Sequence, residues 1–155
     1  MRDTPSIHSR LASIFPLGKS PVAPGTVATV VAGIPCFLLI GRFSPPAQAA
    51  FAAALFAVGS YVSHEAEKQL GRSDPQEVVI DELCGFLIAM LGHPTGFASI
   101  LTGVLLFRLF DIWKPWPIRW VDRQVRGGVG IMLDDVLAGI AANILGLIIL
   151  KLVAF

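Results

Sequence analysis

Apolar and polar residues follow one another in blocks along this chain. Residues 27–40 (VATVVAGIPCFLLI) are apolar throughout, with Pro35 marking an expected kink. Arg42 to Pro46 form a short break rich in turn residues, and residues 47–63 make a second apolar run, rich in Ala and closing with Gly59 and Ser60. Small residues of this kind let helices approach closely in lipid. Residues 64–77 (HEAEKQLGRSDPQE) are aqueous in character. The next run, 78–91, is apolar apart from Asp81 and Glu82; GHPTG breaks the pattern at 92–96, and 97–107 resumes it. Residues 108–135 hold Arg108, Asp111, Lys114, Arg119, Asp122, Arg123, Arg126, Asp134 and Asp135. Residues 136–155 are long enough for a hydrocarbon core of ~30 Å, which takes ~20 helical residues, and Lys151 can snorkel to its edge.

Residues 83–107 read either as one kinked span or as a hairpin turning at His93-Pro94. The hairpin's arms are short, at about 14 to 16 residues. A single span, however, would separate Asp81 from Asp111, whereas the hairpin returns both to one side. It also gathers Arg2, Arg10, Lys19, Lys68, Arg72 and the basic residues from Arg108 to Arg126 there, leaving Arg42 and Lys151 opposite. The positive-inside rule makes the rich side cytoplasmic. The expectation is an all-α, compact multi-helix integral membrane bundle in one domain, 1–155. It has five membrane helices, one short hairpin among them, and an interfacial amphipathic helix.

Composition supports the membrane reading: 54% of residues are hydrophobic and 15% charged, against ~25% charged in soluble domains. Net charge is +1, so bulk electrostatics name no partner, and so little soluble surface argues against nucleic acid. Cys36 and Cys84 lie in apolar runs and read as buried thiols, without disulfide or metal spacing. No signal-peptide core precedes residue 17, so the first membrane helix is expected to serve as an uncleaved targeting signal.

Of eleven acidic residues, five sit against apolar helices: Asp81, Glu82, Asp111, Asp134 and Asp135. Carboxylate oxygens are hard ligands suited to Mg2+, and together these groups can hold one or two ions. Solvated helix ends and dipole-favoured N-terminal acids explain any one pair equally well. Arg108 and Asp111 share a helix face, and Lys114 follows where Pro115 is expected to end the helix. Two cations beside a carboxylate suit a phosphate, or else form a surface salt bridge. Lys19, Ser20 and Thr26 flank Gly25 before the first apolar helix, where backbone N–H groups accept phosphate; the plain alternative is a loop with Thr26 as N-cap. Trp113, Trp116 and Trp120 interleave with Arg119, Arg123 and Arg126, a pattern for resting on anionic lipid headgroups.

Other motifs fail. GKS at 18–20 is no phosphate-binding Walker loop, because Ser13 stands where the earlier glycine belongs. His64-Glu65 is followed by Lys68 where a zinc-protease motif needs its second histidine. Cys36 and Arg42 match a cysteine-phosphatase spacing but lack the loop glycines that wrap a phosphate.

Three blocks resemble the phosphatidylglycerophosphatase A family: SPVAPGTVAT (20–29), DPQEVVIDELCGFLIA (74–89) and FRLFDIWKPWPIRWVDRQVRGGVGIMLDDVLAG (107–139). One departure is Ala28-Thr29, where the family commonly has Gly before Ser or Thr. The resemblance implies Mg2+-dependent hydrolysis of the phosphomonoester of phosphatidylglycerophosphate to phosphatidylglycerol, at the cytoplasmic face of a bacterial inner membrane. It implies Asp81, Glu82, Asp111, Asp134 and Asp135 as catalytic metal ligands and Lys19, Ser20, Thr26, Arg108 and Lys114 as phosphate contacts, with Asp74 structural or supporting. Competing readings are a phosphatase for another lipid or soluble phosphomonoester, a small transporter, and a scaffold on anionic lipid; a homo-oligomer is left open.

Overall fold

The computed structural model describes residues 6–153, all helical or loop, with no strand among them. The fold expectation of an all-α chain therefore holds. The helices are α1 (Ile7–Ala12), α2 (Pro24–Ile40), α3 (Pro45–Leu70), α4 (Ile80–Ala89), α5 (Phe97–Trp113), α6 (Ile118–Gln124) and α7 (Gly127–Val153). Arg2, counted with the basic face, lies outside the described residues.

The shortest of the apolar helices is the centre of the fold. In α4, Ile80, Asp81, Cys84, Gly85, Phe86, Leu87 and Ala89 are all buried, so this helix is covered by protein on nearly every side. Phe86 packs with Phe37, Phe107 and Ala138, joining α2, α5 and α7 in one core cluster. Cys84 and Ile80 pack on a second cluster with Val62, Ala66, Ile131 and Met132 from α3 and α7.

The most extensive contact is between α4 and α7. A Cβ placed on Gly139 would lie 2.3 Å from the Gly85 carbonyl oxygen, and one on Gly85 would lie 2.6 Å from the Asp135 oxygen. Both glycines follow an aspartate by four residues, Asp81 and Asp135, so glycine and carboxylate share one helix face. Backbone contact at the glycines thus draws the two aspartates together.

At the far end, polar side chains bond the backbone groups of the last residue of α4 and of the turn that follows it. Asn143 Nδ2 donates to the Ala89 and Leu91 carbonyls at 3.0 and 2.8 Å, and the Gly92 N–H donates to Gln48 Oε1 at 3.1 Å. A buried helix end needs such partners. Asn143, a lone polar group in an apolar run, is accounted for as this cap.

The count of five spans is not confirmed. Only α3 and α7, among the described residues, are long and apolar enough to cross a membrane. The ten residues of α4 reach only ~15 Å at ~1.5 Å each. They can be short because they lie inside protein and end on Asn143 rather than on lipid headgroups. The expected kink at Pro35 takes another form: residues Thr29–Gly33 make a π-helical stretch immediately before it. The Thr29 hydroxyl there donates back to the Gly25 carbonyl. The interfacial helix is also shorter than its Trp/Arg segment. Trp113 closes α5, a break follows at Lys114 to Pro117, and α6 turns Ile118 and Val121 inward.

Gly139→Ala tests the crossing. Alanine is the better helix former by ~1 kcal/mol, yet its methyl meets backbone that cannot yield. The expected outcome is net destabilisation of ~1–3 kcal/mol, read as a lower melting temperature in detergent.

Candidate active site

A cavity of about 800 Å³ opens at the end of the bundle where α4 begins and α5 ends. Asp81 and Glu82 come from the first turn of α4, Arg108 and Asp111 from the last turns of α5, and Asp134 and Asp135 from the polar end of α7. The loop 18–25 forms the facing wall and contributes Lys19 and Ser20. Nine of the ten residues singled out from sequence line this cavity; Thr26 does not. Thr26 sits within the first turn of α2, and the residue preceding that helix is Ala23, so Thr26 is not its cap.

Five carboxylates that sequence treated alike fall into two groups. Asp111 accepts from Arg108 Nη1 at 2.5 Å. Asp134 accepts from Lys114 Nζ at 2.5 Å, and the same ammonium reaches Asp122 at 2.6 Å. Asp81, Glu82 and Asp135 are the other group. Each offers an oxygen, and the three lie within 4.8 Å of one another. Asp81 Oδ1, Glu82 Oε2 and Asp135 Oδ2 are buried and have no hydrogen-bond partner. Asp81 is only 9% exposed and Asp135 3%.

Three desolvated carboxylates facing each other repel strongly and cannot all remain charged without a cation. An all-oxygen set of this kind fits a hard divalent ion such as Mg2+. The orphaned oxygens and the absence of soft donors are the observations behind that fit.

Cations border the triad. Arg108 keeps a buried Nε without a partner, free to meet an anion. Burial works against the charge of Lys114, but Asp134 and Asp122 outweigh it and raise its pKa above the ordinary lysine range. Lys114 therefore stays protonated throughout the physiological range. Lys19 stands over the Phe15 ring, 5.0 Å from its centroid, and the Ser20 hydroxyl donates to the Val22 carbonyl at 2.9 Å.

The backbone here is strained. Ala23, Asp74 and Lys114, all on the cavity wall, have φ of 42°, 47° and 46°, a left-handed conformation costing non-glycine residues ~1–3 kcal/mol each. Gly25 is needed for another reason, since a Cβ there would lie 2.0 Å from Glu82 Oε1 and 3.1 Å from Arg108 Nη1. Sequence reading did not assign Asp122 or Gly25 a role at the site. Asp122 was masked by its Trp/Arg surroundings, and Gly25 passed for a loop glycine. Both cysteines are off the cavity. Cys84 is buried and donates to the Ala52 carbonyl, while Cys36 is half-buried rather than buried as expected.

Residues 10–150 match the family described as Phosphatidylglycerophosphatase A. The chain belongs to the phosphatidylglycerophosphatase A family. It is accordingly a phosphoric monoester hydrolase. Phosphatidylglycerophosphatase A of Escherichia coli strain K12 is 41% identical over 138 residues, covering 87% of this chain and 79% of that protein. The protein of the same name from Haemophilus influenzae is 36% identical over 135 residues, 86% of this chain and 83% of its own. A Bacteroides thetaiotaomicron protein named "Putative phosphatidylinositol-3-phosphatase" is 36% identical over 138 residues, 84% of this chain and 86% of its own. No solved structure matches the chain.

Gly25→Ala tests how tightly this family site is built. Its methyl overlaps Glu82, so phosphomonoester hydrolysis should fall at least about tenfold, or ~1.4 kcal/mol of barrier. The melting temperature should stay close to that of the parent protein, because the overlap is with a side chain and not with the bundle.

Proposed function

We propose that the chain removes the terminal phosphate of phosphatidylglycerophosphate, giving phosphatidylglycerol, with Mg2+ as cofactor and at a membrane face. The observation that carries this reading is the triad Asp81, Glu82 and Asp135, each with a buried oxygen that lacks a hydrogen-bond partner, beside Arg108 and Lys114 in one open cavity. The relatives named phosphatidylglycerophosphatase A supply the substrate.

The triad would hold the metal. Mg2+ held there would supply positive charge for the phosphoryl group and would lower the pKa of water. The remaining work falls to the chain. Arg108 and Lys114 orient the phosphoryl group and offset the charge that builds up on it, which dominates reactions of this type. Water forms the new P–O bond as the bond to the glycerol oxygen breaks. A cavity carboxylate accepts one of the water's protons, and that proton passes to the departing oxygen, which leaves as the glycerol hydroxyl and restores the carboxylate. Cys36 and Cys84 lie off the cavity, which favours water as nucleophile over a cysteine.

Surface character supports the membrane setting. The apolar windows of α3 and α7 are only 28% and 22% buried within the protein, so most of their apolar surface faces outward. Leu39, Phe51, Val58, Leu105, Ile144 and Ile148 are among the exposed residues. Lipid covers such a surface as water does not. In this reading α3 and α7 cross a bacterial inner membrane, and the α4–α5 hairpin enters and returns on the cytoplasmic side, where the basic residues lie.

A second reading, another lipid phosphomonoester, is favoured by the Bacteroides relative. A panel of phosphatidylglycerophosphate and phosphatidylinositol 3-phosphate in one detergent separates the two by kcat/KM.

Two outcomes test the metal. EDTA should abolish phosphate release, Mg2+ should restore it, and Mg2+ at 100 times its Kd should stabilise the fold by ~2.7 kcal/mol. Asp81→Asn should lower kcat by about a hundredfold or more without changing membrane insertion. Full activity in EDTA would sink the metal assignment.

A further inference from the structure

A second groove of about 550 Å³ adjoins the active-site cavity, and Lys114 lines both. Its walls carry Trp113, Trp116, Trp120, Arg119 and Arg123. The three indoles are 61%, 83% and 57% exposed, as groups at headgroup level should be. Lys114 Nζ is engaged by Asp134 and Asp122 and serves the cavity. Arg119 and Arg123 have no carboxylate partner among the described residues. Arg119 is nevertheless held in place, its Nη2 donating to the Trp113 carbonyl at 3.2 Å. One guanidinium edge is thus fixed to the backbone while the rest of the group borders the groove. The Ile118 and Val121 side of α6 is buried against the bundle, which fixes the helix carrying both arginines.

We propose that this groove binds the internal phosphodiester of the lipid while the cavity beyond Lys114 takes its terminal monoester. The inference rests on the proposed substrate, which carries two phosphates one glycerol apart. One site must then offer a metal and cations for the reacting group, and an adjoining site must offer cations without a metal for the spectator. The structure has this division: carboxylates line the cavity and none lines the groove, which pairs two unneutralised guanidiniums with aromatic faces. Arg is suited to the task, because its planar fork meets two phosphate oxygens at once. Arg119 and Arg123 are then specificity residues that favour a phosphomonoester borne on a phosphodiester. A generic membrane-docking segment would not discriminate in this way.

The test uses the full-length protein and its Arg119→Gln/Arg123→Gln variant on short-chain phosphatidylglycerophosphate below its micelle concentration, where no lipid surface exists. The variant should keep kcat within about twofold and raise KM at least about tenfold, equivalent to loss of one or more charge-assisted contacts. Inhibition by short-chain phosphatidylglycerol, which has only the phosphodiester, should weaken in parallel. Inhibition by inorganic phosphate should not change. A variant equal to the parent on this monomeric substrate would overturn the proposal and leave the arginines as surface anchors. Weaker inhibition by inorganic phosphate would also overturn it, by showing that they serve the monoester site. A parent protein inert on phosphatidylglycerophosphate but active on another lipid monoester would instead refute the substrate assignment.

Discussion

The contact of α4 with α7 at Gly85 and Gly139 governs the rest of this structure. Because each glycine stands four residues after an aspartate, the backbone contact also forces Asp81 and Asp135 into one desolvated space. Glu82, next in line on α4, completes the group. A sequence selected only for stability would not place unpaired acids at a close crossing in an apolar bundle, since their mutual repulsion opposes the packing that holds the helices together. The crossing therefore exchanges stability for a cluster of anionic oxygens. The surrounding cations are kept from cancelling it: Arg108 is engaged with Asp111, and Lys114 with Asp134 and Asp122.

Much of the fold was legible in the blocks of apolar residues. The helical class, the breaks at 42–46 and 92–96, and the end of α5 before Pro115 all follow from local chemistry. The number of spans did not. Hydropathy reports that a segment avoids water and is silent on whether lipid or protein covers it. α4 is as apolar as a membrane helix apart from its two acids, yet it is covered by α2, α3, α5 and α7 and needs only half a bilayer's length. Asn143 was a clue in the opposite direction. A single amide in an apolar run is too little for a polar path through the bundle, and its role is to bond the end of the short helix.

The membership of the site was also largely readable, but its division of labour was not. Five acids at helix ends are equivalent in one dimension. Their differences come from long-range pairing, above all the Lys114 bridge from the end of α5 to α7, which separates Asp134 from its neighbour Asp135. Thr26 shows the converse: it lies in the right segment, but the helix begins two residues earlier and turns it off the cavity wall. Gly25 was visible only as a loop glycine until Glu82 lay against it. Family resemblance supplied the reaction class, and the geometry brings these acids, and not the cysteines, together on one cavity wall.

The account's central claim is that Asp81, Glu82 and Asp135 form a divalent-metal site. Mn2+ titration of purified protein, followed by the loss of the free-ion electron paramagnetic resonance signal, measures this without reference to turnover. The account predicts saturable binding that Mg2+ displaces and that is lost in the Asp81→Asn/Asp135→Asn variant. Binding of equal strength in that variant, or none in the parent protein, would contradict it.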